Sequence, residues 1–148
     1  MPEVRVGVAI IIKKGPYTLY QRRQGSHGAG TWALPGGHLE FKEGIEECGA
    51  REVLEETGLA VRITKRLGYV ETVSEEENRH YITLYLEGEQ EDPDTEPRIM
   101  EPDKCDSMGW YLEPPHPRFE PLKNWLDRQS GFALKRVLGQ DFWGRQDS

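Results

Sequence analysis

Gly37-His-Leu-Glu-Phe-Lys-Glu43-Gly-Ile-Glu-Glu-Cys-Gly-Ala-Arg51-Glu52-Val53-Leu-Glu55-Glu56-Thr-Gly58-Leu59 is the segment from which the rest of the chain is read. From Ile45 to Thr57 it is built of good helix formers, and Gly58 supplies the residue on which helices commonly stop. On a helix Glu52, Glu55 and Glu56 stand at i, i+3 and i+4, so their carboxylates leave one face. Ala50, Val53, Leu54 and Thr57 are expected on the other side, covered by a sheet. Three like charges so placed repel. At ~6 Å and an effective dielectric of ~20 each pair costs about 3 kcal/mol, falling to a few tenths when fully solvated. Two readings stay open on helix geometry: a solvated acidic face, which that geometry alone favours, or a carboxylate set whose repulsion is relieved by a hard divalent cation such as Mg²⁺.

Working outward, Val4 to Ile12 is β-branched and bounded by Lys13-Lys-Gly-Pro16, which predicts a buried strand and a turn. Tyr17 to Gln24 is the returning strand and carries the basic pair Arg22-Arg23. Gly25 to Gly30 predicts a glycine-rich loop, and Trp32 to Leu34 a short apolar piece stopped by a turn at Pro35-Gly36-Gly37. Beyond the helix, Leu59 to Val73 and Arg79 to Glu87 read as strands joined by a hairpin-type connection at Ser74 to Asn78. Gln90 to Asp106 reads as a long loop, Gly109 to Leu112 as a last short strand and Pro121 to Gln129 as a C-terminal helix. Strands and helices mix without strict βαβ alternation, so the expected class is an α+β sandwich. With no internal repeat or interdomain linker, the 148 residues are expected to form one domain, residues 1–148 with a core at about 4–130.

Bulk properties narrow the function. The composition is 36% hydrophobic and 30% charged, which is globular rather than disordered. A net charge of -7 argues against non-specific attraction to nucleic acid polymers or anionic membranes. An acidic protein that handles phosphates needs metal ions or a few placed arginines. Cys48 and Cys105 show no metal-binding spacing, so reduced intracellular thiols are expected rather than a zinc site. No signal peptide is legible, and the apolar run Val4 to Ile12 is far short of the ~20 residues a membrane span needs. A soluble, cytoplasmic protein is the expectation.

The helix does not stand alone. Gly37, five residues, Glu43, seven residues, Arg51-Glu52-Val53, one residue, Glu55-Glu56, one residue, Gly58-Leu59 resembles the Nudix box at every defining position. At average amino-acid usage such a coincidence is on the order of 10⁻⁹ per window, which turns the balance from the solvated face to the cation. The stretches Gly28 to Phe41, Glu101 to Trp110 and Pro121 to Trp125 look like the MutT-related nucleoside triphosphate diphosphatases, with a likeness to small eukaryotic-type enzymes acting on nucleotides or pterin triphosphates.

The resemblance implies a Nudix α/β/α sandwich, a mixed sheet flanked by the box helix and a C-terminal helix. It implies that Glu52, Glu55 and Glu56 are catalytic and hold Mg²⁺, for which Mn²⁺ substitutes, with the Gly36 carbonyl and Glu101 or Asp103 as further oxygen ligands. Either Glu52 or Glu56 serves as general base. Gly37, Glu43, Arg51 and Gly58 are the structural part of the box, Arg51 pairing with Glu43 where an ordinary helical pair with Glu47 is the alternative. Arg23, Leu34, Gly37, His38 and Asn124 are expected at the substrate, with weaker claims for His27, Trp32, Tyr81 and Trp125. The implied reaction is attack of water on a nucleoside triphosphate, giving a monophosphate and pyrophosphate, or on a related nucleoside diphosphate derivative. Alternatives are a diphosphatase for ADP-ribose, dinucleotides, dihydroneopterin triphosphate or prenyl diphosphate, and a Nudix nucleotide-binding module without catalysis. A homodimer is compatible with the resemblance.

Overall fold

The computed structural model describes residues 3–25 and 27–137. Strand β1 (Val4–Lys14) is the axis of a mixed sheet. Along one edge it runs parallel to β6 (Arg79–Gln90), from Val4 opposite His80 to Ile12 opposite Gly88, and β6 carries β5 (Val61–Ser74) antiparallel beyond it. The other edge of β1 is divided. Strand β4 (Gly36–His38) pairs with Gly7–Ala9, whereas β2 (Tyr17–Arg23) pairs only with Lys13 and Lys14. Strand β2 then turns to β3 (Trp32–Ala33) and β7 (Cys105–Tyr111). Because β2 and β4 leave β1 at different points, residues of β1, β2, β4 and β6 line an open cleft rather than a closed sheet face.

The continuous apolar run of β1 is explained by burial on both faces. Val8, Ile10 and Ile12 enter one cluster with Cys48 and Val53 of helix α1 (Ile45–Thr57), while Ala9 and Ile11 pack against a second cluster with Leu122 and Trp125 of helix α2 (Glu120–Val137). The period of two along the strand thus sends alternate residues to opposite helices. The ring of Trp125 lies flat on Tyr85 of β6, centroids 4.3 Å apart and 9° between planes, a contact worth about 0.5–1.5 kcal/mol beyond its buried area. The result is the expected α/β/α sandwich. No helix among the described residues is long and apolar enough to cross a membrane.

Helix α1 matches its expected bounds because both ends are specified locally. Gly44 is extended at the N-cap, and the Glu47 side chain accepts its N–H at 3.1 Å. Glu46 and Glu47 place negative charge against the first turn. Gly58 takes φ +76° and donates its N–H to the Leu54 carbonyl at 3.0 Å. Other boundaries differ from expectation. Pro35-Gly36-Gly37 does not merely turn: Gly36 and Gly37 belong to β4, where a Cβ on Gly36 would stand 2.0 Å from the Val8 carbonyl oxygen. Strand β5 starts at Val61 rather than Leu59, β7 starts at Cys105 rather than Gly109, and β6 and α2 run further than expected. Leu54, expected under the sheet, is 51% exposed, whereas Val53 and Thr57 are buried as expected. The apolar stripe of α1 is therefore narrower than the sequence suggests.

Candidate active site

The cleft between β2, β4 and α1 holds a cavity of about 580 Å³, within the range of small-molecule sites. Its acidic wall comes from one face of α1. Glu56 is turned inward and half-buried; its Oε1 accepts a hydrogen bond from the Gln21 side-chain amide at 2.6 Å and a longer one from the Gly36 N–H at 3.3 Å. Burial, reinforced by the neighbouring Glu52, pushes the Glu56 carboxyl well above the usual carboxylate range. Glu52 lies against the backbone of Gly37, where a Cβ would come within 2.2 Å of its Oε2. Both glycines of Gly36-Gly37 are thus demanded by contact, one with β1 and one with a carboxylate of α1.

Glu55 takes a different course. It does not line the cavity; its side chain is 48% exposed and accepts a hydrogen bond from Arg51 Nη1 at 3.2 Å. Three carboxylates expected together are therefore two inside the cavity and one at its outer edge. Arg51 is the hub between them, its Nη1 donating to both Glu52 and Glu55. Its guanidinium makes two bonds to Glu43, Nε at 2.6 Å and Nη2 at 3.0 Å, and reaches Glu52 at 2.7 Å. The fork geometry of arginine suits such bidentate pairing. It holds the Glu43 carboxyl down at about 2, and so ties the loop before α1 to the helix. The alternative pairing of Arg51 with Glu47 is not formed: Glu47 is engaged at the N-cap.

Across from the acidic wall the lining is basic and aromatic. Arg23 is neither a solvated strand-end residue nor paired with a carboxylate among the described residues. Its guanidinium lies 4.1 Å from the Phe119 ring centroid, and its Nε donates to the His27 carbonyl at 3.1 Å. Burial lowers its affinity for the proton, and Glu56 counters that shift. His38 stacks on Tyr81, centroids 5.5 Å apart at 15°, and His27 lies near-parallel to Tyr81 at 6.1 Å. Burial, with Arg5 beside His38 and Arg79 beside His27, moves both imidazoles below their ordinary value. Leu34, Gly36, Gly37, Glu101 and Asp103 also line the cavity.

Two expected contributors lie elsewhere. The Asn124 amide donates to Thr72 Oγ1 at 3.1 Å and does not line the cavity. Trp32 and Trp125 are buried in the core cluster beneath α2, so neither offers a face to a ligand. Gln21 and Phe119, which carry no motif in the sequence, do line the cavity. For Gln21 a signal exists. On β2 the inward positions run Leu19, Gln21, Arg23, so a glutamine continues an apolar register into the site.

No group of three or more His, Cys, Asp or Glu suited to a metal ion stands together among the described residues. The residues nevertheless fit a hard divalent cation. Glu52 and Glu56 are oxygen donors, close neighbours and mutually repulsive in the cavity, and Mg²⁺ is commonly held by one or two carboxylates with substrate phosphates and waters completing its shell.

Residues 1–126 match the family model described as NUDIX domain. The chain belongs to the Nudix family. This Nudix chain is 35% identical over 79 residues to an ADP-ribose pyrophosphatase of Methanocaldococcus jannaschii, covering 53% of the chain and 47% of that protein. It is 33% identical over 96 residues to an m7GpppN-mRNA hydrolase of Danio rerio, covering 56% and 32%. Among solved structures, the MutT Nudix hydrolase of Burkholderia pseudomallei superposes with a TM-score of 0.69 at 27% identity, over 78% of this chain and 90% of that one. The chain spans less than half the length of the curated relatives just named. The superposition carries the α/β/α sandwich directly, since it extends over most of both chains.

Proposed function

We propose that this Nudix chain hydrolyses a phosphoric anhydride in a nucleotide: a nucleoside triphosphate, to monophosphate and pyrophosphate, or a nucleoside diphosphate joined to a second group. One observation carries the reading. The half-buried pair Glu52 and Glu56 shares a nucleotide-sized cavity with Arg23, a cation whose hydrogen bond among the described residues is to a backbone carbonyl rather than to an acid. Acid alone would repel a polyphosphate, and a basic groove alone would only bind one.

In this reading Glu52, Glu56 and the Gly36 carbonyl hold Mg²⁺ or Mn²⁺, with Glu101 at the far wall and Glu55 at the outer edge. The cation, when bound, supplies positive charge against the phosphate oxygens. Arg23 binds and orients one phosphate group by charge-assisted hydrogen bonds. Its stacking on Phe119 and its bond to the loop at His27 fix the guanidinium before substrate arrives. Leu34, Gly37 and the imidazole of His38 border the same space. Glu56 is the proton acceptor. Water forms a bond to phosphorus through its oxygen and gives a proton to the carboxylate, while the anhydride P–O bond breaks and its electron pair leaves with the departing phosphate oxygen. Arg51 acts at one remove by holding Glu52 and Glu43.

The test is release of phosphate or pyrophosphate across a panel of nucleoside triphosphates, ADP-ribose, dinucleotides and capped dinucleotides, with Mg²⁺ present. Turnover of at least one anhydride is expected, and silence across the panel would refute the reading. On the best substrate, Arg23→Ala should lower kcat/KM about ten- to a hundredfold, the worth of one charge-assisted bond. If Arg23 serves ground state and transition state alike, the loss lies in KM; if it meets charge that develops during transfer, kcat falls too. An unchanged kcat/KM at low salt would remove Arg23 from the site.

A further inference from the structure

Gln21 is a polar residue of the cavity that takes no part in the reaction above, and among the described residues its side-chain oxygen is buried without a partner. The residue is 7% exposed, on a strand whose neighbouring inward residue Leu19 is fully buried. A buried glutamine in such a register is costly unless its amide is engaged on both sides. Only one side is engaged. Nε2 donates to Glu56 Oε1 at 2.6 Å, while Oε1 is buried and meets no donor among the described residues.

The bond to Glu56 is specific in its consequence. Gln21 Nε2 and the Gly36 N–H converge on the same carboxylate oxygen, Oε1. Two donors on one oxygen fix the rotation of the carboxylate about its terminal torsion, which is otherwise broad. The other oxygen, Oε2, is then the one presented for a cation or a proton. Gly36 cannot carry this alone, since its bond is long at 3.3 Å. Strand β2 is itself pinned at this residue, with Gln21 paired to Ala33 on one side and to Met108 on the other. The carboxamide is therefore delivered from a rigid three-strand unit onto a helix that belongs to the opposite layer.

We propose that Gln21 is a positioning residue for Glu56: its amide N–H holds one carboxylate oxygen so that the other faces the cation and the reacting water, and its own buried carbonyl oxygen accepts from a water or substrate hydrogen in the same cavity. The proposal rests on the reading in which Glu56 belongs to the catalytic set. It concerns how the carboxylate is oriented, and makes β2 a second layer of the site.

The experiment compares wild type, Gln21→Leu, Glu56→Gln and the double variant. Each is followed by calorimetric titration with Mn²⁺ alone and by steady-state kinetics on the best substrate. Gln21→Leu should weaken Mn²⁺ binding and lower kcat by about tenfold each, the scale seen when a partner that orients a metal ligand is lost, with KM nearly unchanged. In the Glu56→Gln background the same substitution should leave Mn²⁺ affinity where it was, because the carboxylate it positions is gone. Gln21→Glu keeps the side-chain volume but cannot donate when ionised, so it should lose kcat as well, and it serves if the leucine variant does not fold. Unchanged Mn²⁺ affinity and kcat in Gln21→Leu would overturn the proposal. So would a Mn²⁺ effect that persists without the Glu56 carboxylate, or a loss confined to KM, which would make Gln21 a substrate contact. An inactive wild type refutes the hydrolytic reading instead, and the Mn²⁺ titrations still decide the role of Gln21.

Discussion

Glu56→Gln should lower kcat by about a hundred- to ten-thousandfold while the fold stays intact. The substitution keeps the volume of a side chain that is half-buried against β2 and β4, and it keeps an oxygen able to accept from Gln21 and the Gly36 N–H. What it removes is the charge and the site for a proton. The same change should leave the metal-free protein slightly more stable at neutral pH. Burial and Glu52 raise the Glu56 carboxyl in the folded state, so ionising it costs the folded state more than the unfolded chain. A group raised in this way weakens the fold as pH climbs from its unfolded value through its folded one, and a neutral glutamine is exempt from that loss. Thermal unfolding of the metal-free proteins at pH 5 and pH 8 checks the sign, because the gap between variant and wild type should widen at the higher pH. Glu55→Gln should cost much less activity than Glu56→Gln, since Glu55 is half-exposed and tied to Arg51 outside the cavity. Equal losses at the two positions would mean that the outer carboxylate swings inward to do the same work.

The parts of this molecule that are legible in its sequence are those fixed by local rules. Helix α1 ends where its capping residues say it ends, because Gly44 with Glu47 and Gly58 with Leu54 close the termini through contacts a few residues apart. The run Val4 to Ile12 announces a buried strand, and burial begins at Gly7 while Val4 and Arg5 stay exposed. What sequence alone does not show depends on where distant elements meet. Gly36 and Gly37 read as a turn, yet each lacks a side chain because another element stands where it would be, the Val8 carbonyl in one case and the Glu52 carboxylate in the other. Helical spacing puts Glu52, Glu55 and Glu56 on one face but cannot show that Arg51, drawn to Glu43 across the preceding loop, holds Glu55 outside. Likeness of its segment places Asn124 at the substrate, whereas the packing of α2 on β5 gives its amide to Thr72 instead. Gln21 escapes notice because a lone glutamine on a strand carries no motif, although its register beside Leu19 and Arg23 marks it as facing inward.

Metal dependence should be complete. Two half-buried carboxylates that repel each other cannot by themselves receive a polyphosphate, and the cavity offers few fixed cations to neutralise it: among the described lining residues, Arg23 and Lys104 stand against Glu40, Glu52, Glu56, Glu101 and Asp103. The decisive measurement is turnover of the best anhydride substrate as free Mg²⁺ is titrated into protein stripped with excess chelator. A metal-assisted site should run at the uncatalysed background in chelator and recover as Mg²⁺ or Mn²⁺ is restored, and a Glu52→Gln, Glu56→Gln double variant should not recover. Full turnover in excess chelator would contradict a cation held by these carboxylates.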